Sequence, residues 1–202
     1  MRYKQSEKMA QRKQARRRRL LGTAIALFGR VGYHAATVPM LVAEADTSTG
    51  AFYLYFRNKE DVYVAALEEI GVRLAAALNE EAARETRPER KMGVVVKGFV
   101  RWLAGNPAEA RMLVEAAALG GRMEEARRTI IESHVRSVAA ALEHLAPWFD
   151  AQERAVVARC WTGSVLEAAL GWLALDAEKR PEAERLGTIV AGYNLRGAAL
   201  EQ

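Results

Sequence analysis

The sequence predicts an all-α protein of about nine helices, with a three-helix head and a larger helical body. Three observations lead there. Apolar residues recur at spacings of three and four along most of the 202 residues, the period of a helix buried on one side. No useful length alternates with period two, so no strand is expected. Pro and Gly cut the chain into helix-sized pieces, and with half the residues hydrophobic a chain of this length can bury a core.

Residues 1–15 are polar and basic without apolar periodicity, and are expected to be a disordered arm. Arg16-Arg17-Arg18-Arg19 leads into a first helix whose stripe is Leu21, Ala24, Ile25, Phe28 and Val31, with Gly32 as its stop. Thr37 can cap a short second helix with Pro39 in its first turn and Val38, Leu41, Val42 and Ala45 on one face. Asp46-Thr47 interrupts it, and Thr47 or Ser48 can cap a third short helix ending near Phe56. Asn58 is a natural N-cap for a long helix to about residue 83, with Val62, Ala66, Ile70, Leu74 and Leu78 on one face.

Thr86-Arg87-Pro88 breaks that helix. Five more are expected at about 89–104, 107–119, 123–146, 151–175 and 182–200, punctuated by Asn106-Pro107, Gly120-Gly121, Ala146-Pro147 and Arg180-Pro181. The plan is thus an arm at 1–15, a head at 16–58 and a body at 59–202. With no long Gly/Ser linker, head and body should be rigidly coupled.

Two short helices and a tight turn make a helix-turn-helix, whose second helix enters the major groove of double-stranded DNA. Thr47, Ser48, Thr49, Gly50 and Ala51 supply its small or polar exposed face; Phe52 and Phe56 supply its buried one. Tyr53 and Tyr55 fall at the rim, where a phenol can donate to a phosphate oxygen, although the pair alone is also compatible with a packed core. Lys59 stands beside the first free amides of the long helix, a corner that attracts anions. Arg17 and Arg18 add a sequence-independent attraction to the backbone. Charge is uneven: residues 1–60 hold 12 Lys/Arg and 4 Asp/Glu, net +8, while residues 61–202 hold 18 and 21, net −3. The basic end is the end with the motif, as a nucleic-acid-binding head requires.

The string Thr37, Ser48, Gly50, Tyr53, Tyr55-Phe56 and Lys59, at this spacing, resembles the N-terminal domain of the TetR family of transcriptional regulators, over roughly residues 14–70. Two positions depart from the family pattern. Asp46-Thr47 stands where Gly-Val is usual, so the turn should be strained but kept, since Asp tolerates a left-handed conformation; Met40 stands where an acidic residue is frequent. The resemblance implies a homodimer, a palindromic DNA operator and a small-molecule inducer.

In the body, the segment from Val156 to Leu175 is apolar almost all round and must be buried on more than one side. The last helix adds Leu186, Ile189, Val190 and Tyr193. Both helices could be simple core; the resemblance implies that they form the dimer interface. Phe99, Trp102, Leu103, Met112, Met123, Ile131, His134 and Trp161 are candidates to line an apolar ligand pocket, with His134 or Arg136 as polar anchors, though each alone also fits a core.

The sequence carries no nucleophile, metal or phosphate-loop constellation, so no enzyme and no cofactor is expected. Cys160 is the only cysteine; it allows no intrachain disulfide, is expected on a buried helical face, and suits a reducing cytoplasm. No membrane association by a span is expected, because the best candidate, Cys160 to Leu175, is too short and contains Glu167. The reading is a ligand-responsive, sequence-specific repressor released from its operator by a lipophilic inducer. The alternative is a constitutive architectural protein that binds DNA or an anionic membrane without an effector.

Overall fold

The computed structural model describes residues 2–198, without the side chains of residues 2–8, Ala10 and Glu89. Its helices are α1 (Arg2–Ala35), α2 (Val38–Glu44), α3 (Thr49–Tyr53), α4 (Lys59–Arg84), α5 (Pro88–Gly105), α6 (Pro107–Leu119), α7 (Gly121–Leu145), α8 (Ala151–Ala174) and α9 (Ala183–Gly197), with one 3-10 turn at Ala177–Lys179. No strand occurs among the described residues. The last helix was expected to reach residue 200; residues 199 and 200 lie outside the described residues.

One expectation about α1 changes and one is met. Its helix begins at Arg2, so the stretch expected to be disordered is helical; Lys, Gln, Arg, Ala and Met are all good helix formers and no Gly or Pro interrupts them. The expected stop at Gly32 is a break, with φ +79° and ψ 167°, a conformation that glycine alone enters without strain.

The chain divides into two compact units, residues 1–70 with 107–127, and residues 71–106 with 128–202. The unit that holds the helix-turn-helix is therefore larger than the expected head at 16–58: it includes the first turns of α4 and all of α6. The predicted stripes are buried, with Leu21, Ala24, Ile25 and Phe28 of α1, Leu41 and Val42 of α2, and Phe52 of α3 each below a tenth exposed. Leu20 and Leu27, off the predicted stripe of α1, are buried as well; α6 packs along α1 on a second side, at Gly29.

That second approach is close. A Cβ on Gly29 would lie 2.3 Å from Ala108 Cβ and 2.5 Å from its Cα. Beside it, the Arg111 guanidinium donates to the carbonyls of Arg30 at 2.9 Å and Gly29 at 3.2 Å, and the Glu115 carboxylate accepts the Tyr33 N–H at 2.9 and 3.1 Å. These bonds satisfy groups that the helix break at Gly32 leaves without intrahelical partners. Tyr63 of α4 is fully buried and donates its hydroxyl to the Met112 carbonyl at 2.9 Å, edge-on to Phe28 at 4.9 Å and Tyr33 at 5.3 Å. Burial, reinforced by Glu115, pushes the Tyr63 phenol far above its ordinary pKa, so it acts only as a neutral donor.

In the second unit α5 packs along α9, with Gly187 against the Lys97 backbone and Gly93 against Leu195. Asn194 of α9 is buried; its amide donates to Val190 O and its carbonyl accepts from Ser164 of α8 at 2.8 Å, which satisfies a polar group that burial would otherwise penalise. Trp172 donates to Pro181 O at 2.8 Å, and Arg180 lies over the Trp172 ring while donating to Leu173 O and Leu175 O, closing the link between α8 and α9. The buried stripe of α8 is Ala158, Trp161, Val165, Ala169 and Trp172. Cys160 falls outside that stripe and is exposed, which corrects the expected burial: a helix apolar all round gives no periodic cue to its covered side.

Candidate nucleic-acid interface

The helix-turn-helix is held by caps that act within three residues. Thr37 is extended, with φ −126° and ψ 156°, and its Oγ1 accepts the Met40 N–H at 3.3 Å. Ser48 caps α3 the same way, its Oγ accepting the Ala51 N–H at 3.1 Å. Each hydroxyl keeps its proton and can still donate it outward. Asn58 caps α4, its Oδ1 accepting the Asp61 N–H at 2.8 Å, and Asp61 accepts the Arg57 N–H at 3.1 Å. Arg122, hydrogen-bonded to Asp61, holds that carboxyl below the usual carboxylate range.

The turn between α2 and α3 is a Schellman motif. Asp46 N–H bonds to Ala43 O at 3.2 Å and Thr47 N–H to Val42 O at 3.0 Å. Asp46 has φ +49°, the only positive φ at a non-glycine among the described residues, so the position where the resembled family has glycine is left-handed here too. Asp46→Gly is expected to stabilise the chain by about 0.5–1 kcal/mol, since the left-handed cost is relieved while the lost partner, Arg19 at 3.3 Å, belongs to an exposed pair that contributes little. A fall in the thermal midpoint would show that the Arg19 pair outweighs the strain.

Phe52 and Phe56 are buried, whereas Ser48, Thr49 and Gly50 are exposed, Thr47 and Ala51 are half-buried, and Tyr53 is 55% exposed. Tyr55 is half-buried beside Phe56. Leu54 is 72% exposed and was not anticipated; it lies between Phe52 and Phe56, off their buried side, and an apolar residue there can meet a thymine methyl. Arg17 and Arg18 are exposed, and Arg17 lies over the Phe56 ring at 5.7 Å.

Lys59 differs from expectation. Its ammonium donates to Tyr33 O at 2.8 Å and Ala36 O at 2.9 Å, reaches His34 O at 3.5 Å, and sits 4.3 Å from the centre of the Tyr33 ring. It turns inward to the carbonyl end of α1, where unpaired acceptors and the negative end of the helix dipole attract a cation, and not outward to a phosphate corner.

Of the pocket candidates, Phe99, Trp102, Leu103, Ile131, His134 and Trp161 belong to the second unit; Met112 and Met123 belong to the first. Met112 is fully buried and its carbonyl holds Tyr63, which places it in the core beside α4. Phe99 meets His134 edge-on at 6.2 Å. Burial lowers the His134 pKa, so near neutral pH the ring is an uncharged donor and acceptor; Arg136 is exposed. Thr162 Oγ1, next to Trp161, is buried without a hydrogen-bond partner. Nothing in the sequence signals it, because a mid-helix threonine ordinarily bonds back to its own helix.

Residues 20–66 match the sequence profile of the bacterial regulatory proteins, tetR family. The chain is 24% identical over 188 residues to the HTH-type transcriptional repressor KstR of Mycobacterium tuberculosis, covering 92% of this chain and 84% of that one. It is 25% identical over 87 residues to the fatty acid metabolism regulator protein of Bacillus subtilis, spanning 43% of this chain and 45% of that one. The fold matches the fatty acid degradation regulator FadR of Bacillus halodurans, with TM-score 0.76 at 19% identity over 90% of this chain and 95% of that one. It also matches FadR of Bacillus subtilis in complex with stearoyl-CoA, with TM-score 0.76 at 18% identity over 89% of this chain and 97% of that one. These structural likenesses speak for the fold; the profile match, laid on the capped helices and left-handed turn described above, shows residues 20–66 to be similar to the helix-turn-helix domain of the bacterial regulatory proteins, tetR family.

Proposed function

We propose that the chain is a ligand-responsive, sequence-specific transcriptional regulator, a cytoplasmic repressor that a lipophilic small molecule releases from a palindromic operator. The observation that carries this reading is the geometry of α3: a Ser48-capped helix whose small and polar residues face out, held by a buried Phe52 and Phe56, at the basic end of the chain. Thr49, Gly50 and Ala51 read base edges; Thr37, Ser48, Tyr53 and Tyr55 position the head on phosphates, with Arg17 and Arg18 beside them. Val156 on α8, with Ile189 and Tyr193 on α9, are each more than half exposed, and these side chains support homodimerisation through the last two helices.

A long-chain acyl-CoA is the inducer class we favour, supported by the stearoyl-CoA complex of the Bacillus subtilis relative in fold and by the aromatic and apolar residues of α5, α7 and α8 in the second unit. The test is selection of preferred sequences from random duplex DNA by the full chain, followed by titration with stearoyl-CoA, stearate and CoA. A near-palindrome with half-sites about 34–36 Å apart, preferred about 10³-fold or more over random DNA, is expected, with release by stearoyl-CoA of about 5- to 150-fold. No preference over random duplex would overturn the regulator reading. A palindrome indifferent to all three compounds would overturn only the inducer class.

A further inference from the structure

We propose that the first half of α1, residues 2–19, is a second DNA-contacting element, lying along phosphates outside the half-site read by α3; the inference rests on the DNA-binding function proposed above. Residues 1–19 hold nine Lys/Arg and a single acid, Glu7. The segment is helical from Arg2, yet Met9 and every residue from Gln11 to Arg19 is exposed. Packing against the rest of the unit therefore buries none of these side chains.

Such a helix opposes its own formation. Arg12 and Arg16, and likewise Lys13 and Arg17, stand four apart on the helix, where like charges repel, and cations near the start of a helix oppose its dipole. A polyanion alongside reverses both effects.

The place where the segment joins the head selects the polyanion. Arg19 pairs with Asp46 at 3.3 Å, in the turn that precedes α3, and Arg17 lies over Phe56, which follows α3. Leu20 and Leu21, the next residues, are buried. The basic stretch thus leaves the head at the edge that carries the reading helix. The major groove of the half-site is occupied by α3, so the phosphates within reach are those that flank it. Eighteen helical residues extend about 27 Å, the length of about eight backbone steps at roughly 3.4 Å each. The composition does not suit an anionic membrane, because an interfacial helix buries an apolar face and Met9 is the only large apolar residue between positions 4 and 19.

The experiment uses the full chain and the duplex selected above, once with about ten extra base pairs on each side and once cut flush at the half-sites. Arg12→Gln/Lys13→Gln/Arg16→Gln removes three charges while keeping residues of similar helix propensity. On the flanked duplex the variant should show a log–log salt dependence shallower by up to about 2.7 per head, about 0.9 for each phosphate given up. On the flush duplex variant and parent should bind alike, and the preferred sequence should not change. Equal salt slopes on the flanked duplex would overturn the proposal. So would binding of the parent, but not the variant, to phosphatidylglycerol vesicles with unchanged DNA slopes, which would assign the segment to membranes. If the parent selects no sequence at all, the DNA-binding function falls and this inference with it; if it selects a palindrome and the slopes coincide, only this inference falls.

Discussion

Gly29→Ala is expected to destabilise the chain by about 3 kcal/mol, at the upper end of ordinary overpacking, and to lower its thermal midpoint by about 6–12 °C. The added methyl meets Ala108 Cβ at 2.3 Å and Cα at 2.5 Å. Backbone, unlike the tip of a long side chain, cannot step aside without moving α6. Moving it pulls Arg111 from the carbonyls of Gly29 and Arg30, and Glu115 from the Tyr33 N–H. The control is Gly22→Ala on the same helix, where a Cβ meets nothing within 4 Å. There the entropic gain of about 0.5–1 kcal/mol for replacing a helical glycine should appear as stabilisation. Adding Ala108→Gly to Gly29→Ala removes the clash with the Ala108 methyl but leaves the clash with its backbone, so partial rescue is expected. If both single substitutions shift the midpoint upward, α1 and α6 do not approach as closely as described.

Lys59→Met should cost about 2 kcal/mol, the magnitude of a hydrogen bond to a charged group that leaves part-buried partners unpaired, and lower the midpoint by about 4–8 °C. The aliphatic stem is kept, so the loss isolates the ammonium, which bonds to Tyr33 O and Ala36 O and lies over the Tyr33 ring. Lys59→Arg should rescue only in part, because a planar fork does not present three rotatable donors to converging carbonyls. Unfolding and DNA binding together separate this role from the phosphate contact that the sequence first suggests. A lysine on phosphate would leave stability unchanged and make the salt dependence of binding shallower by about 0.9 per head. That pair of results would return Lys59 to the DNA surface.

The helix-turn-helix was legible because its determinants are local. Thr37, Ser48 and Asn58 each accept an N–H three residues ahead, so the residue types alone mark the helix starts. Asp46 could be read as left-handed because it stands where the resembled family has glycine and Asp tolerates that conformation, and the φ of +49° agrees. The body helices were bounded by prolines and glycines that act on their immediate neighbours, and α6 runs from Pro107 to Leu119 as the punctuation predicts.

Tertiary structure decided what depends on partners distant in sequence. The direction of the Lys59 ammonium is set by carbonyls 23 to 26 residues earlier, and a cation at a helix start reads the same from sequence whether it faces a phosphate or a carbonyl. Met112 looked like any lipophilic pocket residue until Tyr63, 49 residues away, was found on its carbonyl. Cys160 sits on a helix apolar on every side, where no period reveals which face is covered. The close approach of α6 to α1 depends on the absence of a side chain at Gly29, opposite Ala108. A missing methyl leaves no periodic signal in the sequence, and its effect exists only when a second helix comes to lie against it.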